Sequence, residues 1–406
     1  MGPLDGITVL DLTRVLSGPY CTMLLADMGA RVIKVEHPGN GDDTRAWGPP
    51  FLYPGAQQPG VGEPDDTGES AYFLSINRNK ESVTLDFKHA EGRALLEQLI
   101  ARADVVVENF RPGTLNKLGL DYDTLSKKYP RLVYCSISGF GHTGPRWKQP
   151  GYDAIMQAEG GLMSITGTAD GPPIRLGVAI VDIVSGMFAA YGVAVALLAR
   201  ERTGQGQEVD LAMLDATVAL LTYQAGSYFA SGKVPARLGN RHPSIVPYET
   251  FTAADGDFVL AVGNDDQWRK FCAVAELPPD DRFATNRQRV SGYDELRPFV
   301  ADQLRTRPRQ HWIDALTKAG VPCGSVRNFD ELFADPQLDA REMIAIVEHA
   351  TIGPLTALGL PVKLSATPGA VRTAPPTLGQ HTDAVLGQDL GLSADAIAAL
   401  RQHKVI

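Results

Sequence analysis

Asp182 is the residue whose surroundings most strongly indicate chemistry. It lies within residues 177–186, an otherwise apolar run, and a carboxylate there is costly to bury unless it has a partner or a function. A functional carboxylate could act as a nucleophile toward a carbonyl carbon. The same side chain could instead cap the helix that the following residues predict. Asp153 is a second candidate, and the same two interpretations apply to it.

Basic and amide side chains cluster beside predicted strands. Residues 77–80 (Asn-Arg-Asn-Lys) precede one strand, Lys88 follows it, and residues 109–113 follow the next. Open α/β sheets bind ligands near strand ends, so three such clusters favour a polyanionic ligand over solvated loop charges. A helix is also predicted to start near Pro19, where free N–H groups either bind an anion or simply belong to a well-capped helix.

A glycine motif matches a dinucleotide-binding loop but lacks its context. Residues 139–144 read Gly-Phe-Gly-His-Thr-Gly after a predicted strand, whereas a dinucleotide site needs a helix directly afterwards. Residues 145–150 contain two prolines and no helical period. We therefore predict an active-site loop that exposes its backbone, and no nicotinamide site. Zinc-ligand spacing, a Walker loop and a Gly-x-Ser-x-Gly elbow are missing from the sequence, so no metal site is predicted.

The scaffold for these residues is predicted from strand and helix patterns that alternate in the first half of the chain. Such alternation indicates an α/β fold with a parallel sheet covered by helices. Residues 37–70, rich in Gly, Pro and Asp, predict a long loop. The predicted strands are 7–12, 31–36, 82–86, 104–107, 132–136 and 207–210, and the predicted helices are 19–28, 91–102, 122–128, 182–200 and 211–229.

A smaller α+β unit is predicted after a change of composition near residue 230. Residues 248–251 and 258–262, separated by an Asp-Gly turn, predict a hairpin. The tail then mixes short helices with strands. The further predicted helices are 268–276, 294–304, 310–318 and 394–401, with a strand at 345–348.

The composition is that of an ordinary globular protein. A chain of 406 residues, 44% hydrophobic and 21% charged, predicts two domains with a large buried core. The net charge of −9 argues against nonspecific nucleic-acid binding. The longest apolar stretch, 180–198, is interrupted by Asp182, and the N-terminus lacks the pattern of a secretory signal, so no membrane association is predicted. Four widely spaced cysteines fit a reducing compartment, and we expect a cytoplasmic protein.

Several segments together resemble the family III (CaiB/BaiF-type) CoA-transferases, over nearly the whole chain. The combination is highly specific. The segments are Val-Leu-Asp-Leu-Thr-Arg at 9–14, Gly-Pro at 18–19, Val-Ile-Lys-Val-Glu at 32–36, Asn-Arg-Asn-Lys at 77–80, Val-Val-Glu-Asn-Phe-Arg-Pro-Gly at 106–113, Ser-Gly-Phe-Gly at 138–141, Gly-Tyr-Asp at 151–153, Asp-Gly-Pro-Pro at 170–173, Thr-Gly-Gln-Gly-Gln at 203–207, Gly-Asn-Arg-His-Pro at 239–243 and Leu-Gly-Gln-His-Thr at 378–382.

The resemblance implies an α/β fold with a Rossmann-like large domain, a parallel sheet and a smaller α+β domain. Residues 1–225 would form the first part of the large domain, residues 226–325 the small domain, and residues 326–406 a C-terminal part that returns to the large domain. It also implies an interlocked homodimer, whose two chains pass through each other like linked rings. Acyl-CoA would be the co-substrate and a carboxylic acid the acceptor, with no tightly bound cofactor.

The resemblance assigns the catalytic aspartate to Asp182, and we expect Tyr152 and Asp153 to position the acceptor. The likeness is closest to enzymes that use succinyl-CoA and small dicarboxylates. Four arginines could meet a second carboxylate of the acceptor: Arg45, Arg78, Arg175 and Arg241. The implied CoA-contacting residues are Val15, Ser17, His37, Leu85, Phe87, Lys88, Asn109, Phe110, Lys117 and Leu118.

The chain departs from the formyl-CoA transferases of the same family at several positions. This chain has Leu16 where those enzymes have glutamine, and His37 and Lys117 where they have arginine. Those enzymes also have a run of glycines near the position of residues 239–240 of this chain, and the departures there and at position 16 argue against formate or oxalate as the acid. Those at positions 37 and 117 change the chemistry of two expected CoA contacts.

Two other functions are compatible with the implied fold. α-Methylacyl-CoA racemases share it but have histidine immediately before the position of Asp153, where this chain has Tyr152, and a phenol is a poor base for an α-proton at neutral pH. A non-catalytic CoA-binding subunit would bind CoA without exchanging acids. Solvent deuterium entering the α-carbon would distinguish a racemase from a transferase.

Overall fold

The computed structural model describes residues 2–53 and 68–406, which form two compact units. The first comprises Met1–Gly161, Leu176–Ala225 and Gln337–Ile406, and the second comprises Leu162–Arg175 and Gly226–Pro336. Residues 162–175 and 326–336 thus belong to the second unit, whereas the sequence assigned them to the large domain.

Thirteen β-strands occur within the described residues. Six of them form the main sheet of the first unit. In chain order the strands are β1 (Thr8–Asp11), β2 (Arg31–Glu36), β3 (Phe51–Leu52), β4 (Glu69–Ser70), β5 (Lys80–Thr84), β6 (Val105–Glu108), β7 (Val133–Ser138), β8 (Glu208–Ala212), β9 (Tyr248–Thr252), β10 (Asp257–Ala261), β11 (Cys323–Ser325), β12 (Ile344–His349) and β13 (Gly353–Leu358).

Seventeen α-helices lie in the same described ranges, with lengths from a single turn to 24 residues. The longest, α7, carries the candidate Asp182 in its first turn. In chain order the helices are α1 (Ser17–Asp27), α2 (Ala71–Ile76), α3 (Ala90–Ile100), α4 (Tyr122–Lys128), α5 (Asp153–Glu159), α6 (Leu162–Ile165), α7 (Ile180–Thr203), α8 (Met213–Leu220), α9 (Thr222–Ser231), α10 (Asp265–Val274), α11 (Asn286–Ser291), α12 (Tyr293–Leu304), α13 (Arg309–Ala319), α14 (Phe329–Phe333), α15 (Pro336–Ala340), α16 (Thr382–Gln388) and α17 (Ala394–Gln402).

The main sheet of the first unit has the strand order β5-β2-β1-β6-β7-β8, and every neighbouring pair in it is parallel. Its central strands are short apolar runs such as Val105–Glu108, as expected of strands covered on both faces. The predicted α/β class with a parallel sheet is therefore confirmed. Because the strands are parallel, their carboxyl ends meet at one edge of the sheet, where ligands bind in such folds.

Helices cover the sheet of the first unit. Leu10 and Val106 of the sheet share one buried apolar cluster with Leu96 of α3, Leu125 of α4 and Val385 of α16. Helix α1 packs on β1 and β2, while α7 packs on α1, β7 and β8. The C-terminal helices therefore complete the core that the N-terminal strands begin.

Helix α7 is long and apolar enough to cross a membrane by length and composition, the one helix of this kind among residues 2–53 and 68–406. Its buried side includes Val181, Ala189 and Val193, which lie in the core of the first unit. A core helix of a globular protein passes the same test.

The long loop predicted at 37–70 is partly ordered into short elements. Residues 43–46 form a 3-10 turn, and Phe51 pairs with Ser70 in a two-stranded antiparallel ladder. Residues 54–67 of this prediction lie outside the described residues.

The second unit has an antiparallel sheet with the order β11-β10-β9. Strands β9 and β10 form the predicted hairpin, with Phe251 opposite Phe258. These two phenylalanines are buried with Trp312 and Phe271 in the core of this unit. The hairpin prediction is confirmed.

Several helix predictions differ from the structure in their bounds, and two of the differences concern how a helix is interrupted or begins. The helix predicted at 211–229 is two helices, α8 and α9, because Thr222 has a positive φ of 35° that interrupts the regular backbone. Helix α1 begins at Ser17, so Pro19 is its third residue and not its first.

Candidate active site

A cavity of about 450 Å³ lies at the carboxyl ends of the parallel strands in the first unit. Eleven of the predicted site residues line it, whereas Lys117 and Asp153 are not among its lining residues. Leu16, the position at which the formyl-CoA transferases have glutamine, is not a lining residue of the cavity either. The predicted residues that line it are Val15, Ser17, His37, Leu85, Phe87, Lys88, Asn109, Phe110, Leu118, Tyr152 and Asp182.

The close approach of α7 to α1 places Asp182 beside the loop that follows β1. A Cβ atom at Gly186 would lie 2.6 Å from the Ser17 carbonyl oxygen, so only glycine permits this packing. Asp182 is the third residue of α7 and lines the cavity together with Val15 and Ser17.

The two candidate aspartates have different environments. No side chain of α7 caps its first turn; instead the Val181 N–H donates to Asp153 Oδ1 at 2.8 Å. The other oxygen, Asp153 Oδ2, accepts from Gln157 Nε2 at 2.7 Å. Asp153 is therefore the residue that caps the helix. Within residues 2–53 and 68–406 the Asp182 carboxylate has no hydrogen-bond or ion-pair partner.

The pKa of Asp182 is raised from 3.8 to about 7. Burial is the larger cause, because it disfavours the charged form, and the nearby negative charge of Asp153 adds to it. A carboxylate with a raised pKa is more basic than an ordinary one, and such residues concentrate at functional sites.

Tyr72 is a neighbour of Asp182 that the sequence did not indicate. Burial raises the pKa of its phenol to about 12, and the charges of Asp182 and Asp153 contribute to that rise. Its ring stacks edge-on against Trp47, with 5.2 Å between the centroids. No spacing relates position 72 to position 182, so only the fold brings the two together.

Basic side chains and the start of α1 line the cavity, together with acidic side chains such as Asp43 and Asp86. Arg14, Lys88 and Arg111 line it, although only Lys88 and Arg111 belong to the predicted basic clusters. The first turn of α1 has no side-chain cap, and its first residue, Ser17, lines the cavity. Phe110 packs edge-on against Phe87, with a centroid separation of 5.9 Å, and offers an aromatic surface in the same wall.

The cluster at 77–80 is not part of the cavity, and its prediction as a ligand site is wrong. The Arg78 guanidinium binds Asp27, with Nη2 2.6 Å from Oδ2, and Asn79 Nδ2 donates to the same aspartate. Lys80 Nζ lies 3.1 Å from Asp11 Oδ2. Buried charges must be paired, and these find their partners inside the protein.

The glycine loop at 139–144 is not followed directly by a helix, since the next helix, α5, begins at Asp153. Gly139 lines the cavity and packs closely on Gly151. A Cβ atom at position 139 would lie only 2.7 Å from the Gly151 nitrogen, so the packing requires glycine there. This contact positions the 149–152 segment, including Tyr152, along the wall. No group of three or more metal-ligating side chains is found in the described part of the chain.

Comparisons with known proteins identify the family of this chain. A sequence model of "CoA-transferase family III" matches residues 4–382. The succinate–glutarate CoA-transferase of Agrobacterium fabrum is 43% identical over 95% of both chains. The acetyl-CoA:oxalate CoA-transferase of Acetobacter aceti is 44% identical over 90% of both chains.

The fold has a solved counterpart at similar identity. A CaiB/BaiF family protein from Brucella suis superimposes with a TM-score of 0.82 at 41% identity, covering 96% of this chain and 99% of that one. With the family model spanning nearly the whole sequence and these relatives above 40% identity, the chain belongs to the family III CoA-transferases.

Proposed function

We propose that this protein moves CoA from a succinyl-CoA-like donor to a dicarboxylic acid, through a thioester on Asp182. One observation carries the proposal. The Asp182 carboxylate, which has no hydrogen-bond or ion-pair partner in the described ranges and a pKa of about 7, lines a cavity with the residues expected to contact CoA. The relatives named for glutarate and for oxalate support a dicarboxylate acceptor. Because these two acids differ in carbon-chain length, the length of the acceptor has to be measured.

In the first half-reaction, an Asp182 carboxylate oxygen attacks the thioester carbonyl carbon of the donor. The C–S bond breaks, and CoA leaves as the thiolate, giving a mixed anhydride between Asp182 and the donor acid. The thiolate then attacks the Asp182 carbonyl carbon. The donor carboxylate leaves, and the aspartyl-CoA thioester remains.

The second half-reaction reverses these steps with the acceptor. An acceptor carboxylate oxygen attacks the aspartyl carbonyl carbon, the CoA thiolate leaves, and a second mixed anhydride forms. The thiolate attacks the acceptor's acyl carbon, which releases the new acyl-CoA and restores the Asp182 carboxylate. No net proton or electron is exchanged. Water must be kept from the anhydrides, which would otherwise hydrolyse.

CoA is proposed to lie along the cavity with its phosphates near the N-terminus of α1. Lys88 and Arg111 of the wall suit these anions, and so does Arg14, whose ion pair with Asp43 is long at 3.5 Å and exposed to solvent. The Phe87–Phe110 pair offers a surface for the adenine ring. The thioester end would then reach Asp182 at the head of α7.

Two of the four arginines considered for binding the acceptor's second carboxylate are already bound to carboxylates of the protein. Arg45 binds Glu36 through two bonds of 2.8 and 2.7 Å, and Arg78 is held by Asp27. We therefore assign neither to the acceptor. Tyr152, 60% exposed on the cavity wall, is proposed to position the acceptor. Asp153 is proposed to act indirectly, by fixing the first turn of α7.

The function is tested by incubating the purified protein with succinyl-CoA and each of a series of dicarboxylic acids in deuterated buffer. We expect new acyl-CoA esters and free succinate in equal amounts by mass spectrometry, without deuterium at the α-carbon. Deuterium incorporation without exchange of acids would identify a racemase. CoA binding with neither reaction would identify a non-catalytic subunit.

We further propose a cytoplasmic homodimer, interlocked as the family resemblance implies. The side of α7 away from the core exposes Met187, Tyr191 and Leu198 at 52%, 68% and 56%, an apolar surface that a second copy would cover. The four cysteines are free thiols, which suits a reducing compartment. Light scattering should give twice the chain mass of 43.6 kDa, and a monomer at micromolar concentration would contradict the dimer.

A further inference from the structure

The loop between β1 and α1 contains a residue in an unfavourable backbone conformation. Val15 has a φ of +71°, in the left-handed region that β-branched residues rarely adopt. It lines the cavity together with Ser17 and Asp182, so its conformation shapes the wall of the cavity. A strained residue persists only when its surroundings hold it.

Side chains from other parts of the first unit hold the main chain of this loop. Lys34 Nζ donates to the Thr13 carbonyl oxygen at 2.8 Å. The amide of Asn109 binds both main-chain groups of Arg14, accepting from its N–H at 3.0 Å and donating to its carbonyl oxygen at 2.7 Å. The Val15 N–H donates to Asp42 Oδ1 at 3.2 Å. Consecutive peptide groups are therefore fixed from three directions.

Two of these side chains form a buried ion pair. Lys34 Nζ lies 2.9 Å from Asp42 Oδ2, and both side chains are 0% exposed. Burial alone would raise the pKa of Asp42, but the Lys34 charge and the bonds from Thr44 lower it below its usual value. Burial alone would lower the pKa of Lys34, and Asp42 together with Asp11 raises it. Both groups are therefore charged at neutral pH.

The pair connects β2 to the segment that follows it and, through the loop, to the start of α1. Lys34 belongs to β2, and Asp42 lies in the turn that follows this strand. Glu36 fixes the main chain of that turn, because the Asp42 N–H donates to Glu36 Oε2 at 3.0 Å. Without Asp42, nothing in this set binds the Val15 N–H. Val15 could then relax to a negative φ, which would reorient the peptide groups on both sides of it.

We propose that Lys34 and Asp42 are positioning residues, which hold Val15 in the conformation that the CoA moiety requires. This inference rests on the proposed function, because it assumes that CoA binds against the loop. The pair acts through the Val15 main chain and not through its own contact with the reacting atoms.

A double-mutant cycle tests this role, with free CoA as the probe and calorimetry as the measurement. The four proteins are wild type, Asp42→Ala, Val15→Gly and the double variant. Asp42→Ala should weaken CoA binding about tenfold, from the usual cost of a left-handed non-glycine residue. Glycine adopts this conformation without the pair, so Asp42→Ala should weaken CoA binding less than about threefold in the Val15→Gly background.

Arg200→Met is the matched control. Arg200 is another buried cation of the first unit, and it pairs with Asp104, which precedes β6 at the amino end of the sheet. Its removal should lower the melting temperature without changing CoA affinity. If Asp42→Ala does not fold, the double substitution Lys34→Met/Asp42→Leu replaces it in the cycle, because it leaves no buried charge unpaired and gives the Val15 N–H no acceptor.

Equal weakening by the Asp42 substitution with and without the Val15→Gly change would overturn the inference, because Asp42 would then act independently of Val15. An Asp42→Ala protein with the CoA affinity of the wild type would also overturn the inference. The proposed function would not be affected by that result, because the wild type would still bind CoA. Failure of the folded wild-type protein to bind CoA would instead contradict the proposed function itself.

Discussion

Asp182→Asn is expected to abolish exchange of CoA between acids, by at least about a thousandfold, while CoA binding is retained. The reason is that an amide cannot replace the carboxylate as a nucleophile, whereas the cavity wall that holds CoA is unchanged. The measurement is the initial rate of acyl-CoA formation from succinyl-CoA and the best acceptor, together with CoA affinity by calorimetry.

Asp215→Asn is the matched control for this loss. Asp215 is the third residue of α8, as Asp182 is of α7, but it does not line the cavity. Its amide variant should exchange CoA at the wild-type rate. An Asp182→Asn protein that keeps a tenth or more of the wild-type rate would show that another group carries the acyl transfer.

The same substitution is expected to stabilise the protein at alkaline pH. The folded-state pKa of Asp182, about 7, lies above its ordinary value of 3.8, so the folded state disfavours the charged form. Wild-type stability from this group is complete below pH 3.8 and is lost as the pH rises through 7. The shift corresponds to about 4 kcal/mol at most. Asparagine has no charge and avoids this cost.

Urea unfolding of the wild type and of Asp182→Asn at several pH values measures this effect. The stability advantage of the variant should grow from pH 5 to pH 8 and then level off. A variant that is less stable than the wild type at pH 8 would mean that the carboxylate has a stabilising partner.

Much of the fold was predictable because local signals and packing agree. Helix α4 was predicted with the observed bounds, since Asp121 caps it at the start and Lys127 and Lys128 occupy its last turn. The hairpin of β9 and β10 follows from its Asp-Gly turn and the alternation of Phe251 and Phe258 with polar residues. The break at Thr222 was not predictable, because a positive φ at a threonine has no sequence signal.

The part of the candidate site that could be predicted consists of the residues in motifs shared with the family. Asp182 and nine of the ten expected CoA contacts line one cavity, but this arrangement was inferred from family resemblance and not from spacing. The role of the 77–80 cluster could not be judged from sequence, because its partners Asp11 and Asp27 lie more than fifty residues earlier. The difference between Asp153 and Asp182 was equally invisible, since it depends on which carboxylate meets the Val181 N–H.

The most direct test of the account is to trap the aspartyl thioester. The protein is incubated with succinyl-CoA, hydroxylamine is added, and the peptides are analysed by mass spectrometry. We expect a hydroxamate on Asp182, dependent on succinyl-CoA and missing from the Asp182→Asn protein. Active wild-type enzyme that gives no hydroxamate, or gives it on a different carboxylate, would contradict the central claim.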